Sequence, residues 1–184
     1  MQEILKKDLF RYEGENSHKF LIKLKYVFLV PGYSYTYFFR KSKMGYSKRL
    51  FKIFLRLSSY ITHIQIPSET KIGEGLYIGH FGDIIIHPEV TIGKNFCVYP
   101  GTSIGFTHGK RMGVPAIGDN VFVGRNAVVL GKITIGNNVL IAPGTFVNFD
   151  VPDNCIVMGN PGHIIPQDSS PTKKYIVYPV EKYH

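Results

Sequence analysis

Residues 75–87 read GLYIGHFGDIIIH, an aliphatic, glycine-marked run that carries His80 between Gly79 and Phe81 and closes on His87. A neutral imidazole is the side chain best suited to taking a proton near neutral pH. A third imidazole, His108, follows in GFTHGKRMGVPA. Three such groups can act as separate acid–base groups, converge on a zinc ion, which needs at least three protein ligands, or simply pack. The choice depends on the elements that position them.

Those elements repeat. An aliphatic residue recurs every six positions, first as Ile66, Ile72, Ile78, then Ile86, Ile92, Val98, Ile104, then Ile117, Val123, Val129, Ile135, Ile141, Val147. In IGEGLY, IGKNFC, IGDNVF, VGRNAV and IGNNVL a glycine follows it directly. A β-sandwich would show period-two alternation instead. A fixed period of six predicts a mainly β protein built as a parallel β-helix. Each unit is a short strand and a turn, with the aliphatic residue inward and a small residue at the corner. Asn95, Asn120, Asn137 and Asn138 supply turn chemistry, because asparagine tolerates left-handed backbone. Three units close one triangular coil, and the ends of the stack need caps.

The period breaks twice, between Ile78 and Ile86 and between Ile104 and Ile117. Insertions in a repeat protein become loops on one face, often the binding face. His80 abuts the first break and lies at a corner, whereas His108 lies in the second insertion. His87, beside Pro88, reads as structural.

Before Tyr60 the texture differs. Residues 1–61 hold thirteen Lys or Arg against four Asp or Glu, while residues 62–165 hold only six Lys or Arg. The formal charge of +9 therefore belongs mainly to the N-terminal segment, and nucleic acid is not the expected partner. PGYSYTYFFRKSKM predicts a helix starting at Pro31, where the missing N–H costs nothing. YSKRLFKIFLRLSSYI predicts a second, with Leu50, Phe51, Phe54, Leu55 and Leu57 on one broad face. The expected division is a helical cap over 1–61, the coil over 62–165 and an extended tail over 166–184. The cap packs on the coil in one reading; in the other it makes a peripheral membrane contact. No secretory signal or membrane span is legible, and Cys97 and Cys155 do not make a disulfide framework, so the expected location is cytoplasmic.

KIGEGLYIGHFGDIIIHPEVTIGKN, GDNVFVGRNAVVLGKITIGNNVLIAPGTFV and VPDNCIVMGNPGHII resemble the serine acetyltransferase branch of the hexapeptide-repeat acyltransferases, above all its shorter members in polysaccharide gene sets. The resemblance covers about residues 62–165. It implies a left-handed parallel β-helix, a homotrimer, and acetyl transfer from acetyl-CoA to a hydroxyl without a metal. His80 matches the catalytic base, and His108 matches the loop base of sugar-directed relatives. Val123, Gly124, Arg125, Ala142, Pro143 and His163 match the acetyl-CoA groove. Zinc-dependent β-helix carbonic anhydrases also use three histidines, but their wider pattern is absent here.

The departures are specific. Serine-directed members carry an aspartate where this chain has Gly79, an orienting aspartate where it has Gln65, and Arg-His where it has Gly113 and Val114. A zwitterion needs paired charges. The expected acceptor is therefore a sugar or glycan hydroxyl, with Gln65 holding His80. Serine, or a coil without catalysis, is the alternative.

Overall fold

The computed structural model of the chain describes residues 2–183. Helices α1 (Gln2–Glu13), α2 (Phe20–Leu29), α3 (Pro31–Lys41) and α4 (Lys48–Thr62) come first, with a 3-10 turn at Gly14–His18. Strands follow as β1 (Ile64–Gln65), β2 (Lys71–Ile72), β3 (Tyr77–Ile78), β4 (Ile84–Ile86), β5 (Thr91–Ile92), β6 (Cys97–Val98), β7 (Ser103–Gly105) and β8 (Ala116–Ile117). The upper set is β9 (Phe122–Val123), β10 (Val128–Leu130), β11 (Thr134–Ile135), β12 (Leu140–Ile141), β13 (Phe146–Val147), β14 (Cys155–Met158) and β15 (His163–Pro166).

Every third strand stacks in parallel. One face runs β1-β4-β7-β10-β13, a second β2-β5-β8-β11, and a third β3-β6-β9-β12-β14, with β15 folded back antiparallel on β14. This is the three-sided coil that the period of six predicts, with in-register pairs such as Ile78↔Val98, Val98↔Val123 and Val123↔Ile141. All thirteen periodic aliphatics are buried. The residue two before each contributes a second inward layer that includes Leu76, Phe96, Val121 and Val139.

The corners explain the punctuation. On the second face a Cβ on Gly118 would lie 2.9 Å from the Gly136 carbonyl, so only glycine lets successive coils close there. At the next corner Asn95, Asn120, Asn138 and Asn154 all have φ near +56°, from 55° to 57°. Their amides form a ladder. Asn95 Nδ2 donates to Asn120 Oδ1 at 2.9 Å, Asn120 to Asn138 at 3.1 Å and Asn138 to Asn154 at 2.9 Å. Asn137 keeps negative φ and works differently: its Oδ1 accepts from the Asp119 N–H at 2.9 Å.

The helical segment covers the open edge of the first coil, where no lower strand pairs. The Tyr35 hydroxyl accepts from Ile66 N–H (2.9 Å) and donates to Ile66 C=O (3.0 Å). Tyr12 does the same for Ile78, at 2.9 and 3.3 Å. At the corner between them, Asp8 accepts from the Gly75 and Leu76 N–H groups, at 2.8 and 2.9 Å. Arg40 donates to the Ile72 and Gly73 carbonyls, at 2.7 and 2.6 Å, and its Nε lies 2.7 Å from Asp8 Oδ2. Both charged groups are buried, so each satisfies the other and the backbone edge together.

Two expectations change. Of the apolar set assigned to α4, only Leu55 is buried and Phe51 is half-buried; Leu50, Phe54 and Leu57 face solvent. The tail is not an extended arm. Tyr175 packs on Phe122 (centroids 4.7 Å), Tyr178 on Phe10 (5.9 Å), and the Val180 N–H donates to Asn95 Oδ1 at 2.8 Å. It straps the third face, whose outward column of Cys97, Phe122 and Leu140 is apolar and buried.

Removing the Tyr12 or Tyr35 hydroxyl leaves a buried N–H and C=O unpaired. Tyr12→Phe and Tyr35→Phe should each lower the unfolding free energy by about 1–3 kcal/mol. Asp8→Ala strands Arg40 and should cost about 3–5 kcal/mol. Urea midpoints measured on the three variants check the order.

Candidate active site

The corner between the third and first faces is where the first break falls. Ile78 to Ile86 spans eight positions rather than six, so this corner holds two extra residues that the later corners lack. The chain bulges over residues 79–83. His80 follows Ile78 as Pro100 follows Val98, Arg125 follows Val123 and Pro143 follows Ile141. In the later coils the left-handed residue is the next one along, at Gly101, Asn126 and Gly144. In the bulge it is His80 itself, with φ 72°, and Gly82 follows at 136°. A non-glycine residue held there is strained, a feature that concentrates at functional sites.

The imidazole of His80 is solvent-exposed. Its ring centroid lies 6.2 Å from that of Tyr99, one coil up. Tyr99 crosses the face of Gly79 so closely that a Cβ on Gly79 would lie 2.6 Å from its ring. Burial pushes the Tyr99 phenol up to about 12, so it stays a protonated donor at neutral pH. Behind it lies a pocket of about 210 Å³ lined by Tyr99, Tyr77, Tyr12, Tyr175 and Arg11. Arg11 is 4% exposed, and its Nε donates to the Gly75 carbonyl at 3.2 Å.

The corner gathers most of the groove residues named from the sequence. Arg125 and Pro143 are exposed in the same column as His80, separated by Pro100. Coils rise by about 4.8 Å, so Arg125 stands about 10 Å above His80. Ala142 is half-buried beside Pro143. His163 pairs with Met158 at the top of the same edge and is exposed.

Val123 and Gly124 sit differently: their side-chain positions face the core and the next coil. The Val123 side chain is 0% exposed in the core, and its carbonyl accepts from Tyr99 N–H. Gly124 spends its N–H on Ile141 and its carbonyl on Thr102 Oγ1, and a Cβ there would lie 2.7 Å from Pro143 N. Their role is coil stacking, which follows from the period that made them visible.

Gln65 is also displaced. It sits in β1 on the first face, opposite Ile85, and lines a separate hollow with Lys52, Arg56 and Glu69. No hydrogen bond joins it to His80. Asp83 faces His63 instead, its Oδ1 3.8 Å from His63 Nδ1, with both side chains exposed. His63, the left-handed C-cap of α4, lies next to the bulge: the neighbouring Thr62 carbonyl accepts from Gly82 N–H. His63, Tyr99 and Arg11 carry no repeat signal, and sequence reading missed all three.

His108 is not near His80 within the chain. The second insertion closes as a small hairpin through the Thr107–Gly113 bridge and is pinned by Arg111 to Asp150 at 2.8 Å. His108, Phe106 and His87 form a ring chain at that corner, with centroids 4.9 and 6.0 Å apart. His87 Nδ1 accepts from Glu89 N–H, the structural turn expected of it. Among the described residues no three His, Cys, Asp or Glu side chains converge as a metal set.

Comparisons with known proteins meet this geometry. Residues 115–148 match the bacterial transferase hexapeptide family (six repeats). Serine acetyltransferases are among the proteins this chain is similar to. Serine acetyltransferase of Staphylococcus aureus (strain Mu50) is 42% identical over 115 residues, 61% of this chain and 54% of that protein. The chain thus spans about half the length of the curated relatives it matches. The crystal structure of the Brucella abortus serine acetyltransferase in complex with coenzyme A superposes with a TM-score of 0.75 at 26% identity, covering 92% of this chain and 69% of that one. The Neisseria gonorrhoeae serine acetyltransferase in complex with serine gives 0.73 at 25%, covering 89% and 68%. None of these relatives bears a name that points to a glycan, so the sugar expectation finds no support among them.

The Gly79–Tyr99 contact predicts a coupled pair. Gly79→Ala should cost about 1–3 kcal/mol through overpacking. In a Tyr99→Ala background the same change should cost little, leaving a coupling energy of about 1–2 kcal/mol in a double-mutant cycle. Additive losses would show that the ring does not constrain residue 79.

Proposed function

We propose that the chain transfers an acetyl group from acetyl-CoA to a hydroxyl, with His80 as general base. The observation that carries the reading is the bulged corner. It presents an exposed, left-handed imidazole at the foot of a solvent-facing column continuing through Pro100, Arg125 and Pro143. The thioester lies along that column, and the Arg125 guanidinium meets anionic groups of the carrier. The coenzyme A complex of the Brucella abortus relative supports this choice of co-substrate.

His80 takes the acceptor proton as the hydroxyl oxygen attacks the thioester carbon. The tetrahedral oxyanion needs N–H donors. Its collapse breaks the C–S bond and leaves the ester, and the imidazolium returns its proton to the thiolate. No step calls for a metal.

The reading includes a left-handed coil and a trimer. The outward column of the first face supports a partner chain there. Ile85 and Phe106 are exposed on it, and Val128, Leu130 and Phe146 are half-buried. The bulge at His80 borders this face, so a neighbouring chain would complete a cleft around it and could bring its own second insertion close.

L-serine is the acceptor that the named relatives favour, and it is the first reading. Asp83, exposed three residues past His80, offers a carboxylate for its ammonium. A second reading, an uncharged sugar hydroxyl, rests on Gly79. With Tyr99 in place no side chain fits there, so the aspartate of serine-directed relatives has no counterpart at that position.

Coenzyme A release by the purified chain, offered L-serine or a panel of nucleotide sugars, separates the two. Turnover with serine is expected. Turnover only with a sugar would move the assignment to the second reading, and no turnover or coenzyme A binding would leave a structural coil. His80→Ala should reduce kcat by about 100-fold or more with an unchanged melting temperature, as for a lost base. A fully active His80→Ala chain would transfer the role to His108.

A further inference from the structure

The cap explains α1 and α3 but not the outer surfaces of α2 and α4. α2, sequence FLIKLKYVFL, has no buried residue. At about 100° per residue, Phe20, Leu24, Phe28 and Leu21 cover a continuous arc of about 100°. On α4 the side facing the protein carries Leu55, Ser58 and Thr62. Beside it, starting about 40° from Ser58, Phe54, Ile61, Leu50, Leu57, Ile53 and Tyr60 form an unbroken apolar arc of about 120°. These ten side chains are each 40–77% exposed. Lys48, Lys52, Arg56 and Arg49 fill the other flank of α4 in an arc of about 100°.

Charge says what covers these arcs. Residues 16–68 contain ten Lys or Arg and no Asp or Glu. A second copy of the same surface would set cations against cations. A nucleic acid would use the cations and leave the aliphatic arcs in water. An anionic lipid surface takes both, with apolar side chains entering the acyl boundary and basic ones staying at the headgroups. Among the described residues no helix is long and apolar enough to cross a membrane, so the contact lies on the surface.

We propose that α2 and α4 dock this protein on an anionic membrane surface. The docking is independent of what the His80 corner does.

Flotation of the purified full chain tests it, with vesicles of phosphatidylcholine alone and vesicles containing phosphatidylglycerol. The bound fraction should be roughly tenfold higher on the anionic vesicles and fall when salt is raised from about 0.1 M to about 1 M. Ile53→Glu with Leu57→Glu should reduce binding about tenfold, each change removing apolar insertion and a unit of attraction. Its melting temperature should hold, because both side chains are exposed. If that variant is unstable, Lys52→Glu with Arg56→Glu gives the same reading through charge alone. Failure of the unmodified chain to float with anionic vesicles overturns the proposal. So does equal binding by the variants. A drop in assembly mass on Ile53→Glu and Leu57→Glu, without vesicle binding by the parent, would assign the arcs to a second copy.

Discussion

A stack of parallel coils leaves a ring of unpaired backbone groups at its first turn, and the rest of this structure depends on how that ring is closed. A buried N–H or C=O without a partner costs as much as a lost hydrogen bond, so an uncapped end would fray. Here no strand supplies the partners. Two phenols and one ion pair do, one group to each exposed stretch of the first coil. Each tyrosine hydroxyl acts as donor and acceptor at once, which matches a residue that offers both an N–H and a C=O downward. The Asp8–Arg40 pair does this for the corner, where two N–H groups and two carbonyls point the same way. Burying both charges is tolerable because they pair with each other and with two backbone N–H groups and two backbone carbonyls.

That first coil carries the candidate site. β3 leads directly into the bulge, and the Tyr12 hydroxyl holds Ile78 two residues before His80. The His80 backbone is left-handed because two extra residues must be absorbed between a fixed strand below and an in-register strand above. The strain is thus a product of register. Ile78↔Val98 before the bulge and Ile84↔Ile64 and Ile86↔Ile104 after it remain paired, so the loop has nowhere to put its excess but outward.

Legibility follows from the range of the interactions. The thirteen aliphatic positions, the glycine corners and the parallel three-sided coil could be read because each repeats a local rule. Pro31 and the start of α4 could be read from local helix signals. The cap contacts could not, since Asp8 meets Leu76 and Tyr12 meets Ile78 across more than sixty residues with no pattern between them. The same limit divides the residues expected to line a groove. Arg125, Pro143 and His163 fall where the period predicts an outer edge. Val123 and Gly124 were drawn into the set by the same motif, although one is the inward residue and the other the stacking glycine. Gln65 was expected to replace an aspartate by alignment; its strand sets it opposite Ile85 on the first face, without a hydrogen bond to His80. Tyr99, which bounds the space beside His80, looks in the sequence like any aromatic after an inward valine.

The N-terminal helices show why composition alone misled. Aromatic and basic residues there suggested either a cap or a lipid contact, as though one excluded the other. The cap contacts fall on two of the four helices. α1 and α3 use polar groups (Asp8, Tyr12, Tyr35, Arg40) to close the coil, and apolar burial contributes through Leu9, Tyr33 and Phe39. α2 and α4 flank α3, yet turn only one side each toward it. If capping were their whole purpose, their outer sides would be expected to be polar, as on most surface helices. Instead the outer sides carry ten large apolar residues in two continuous arcs, with cations alone for charge. Most of those side chains find no partner within the chain, which is the observation the docking proposal answers.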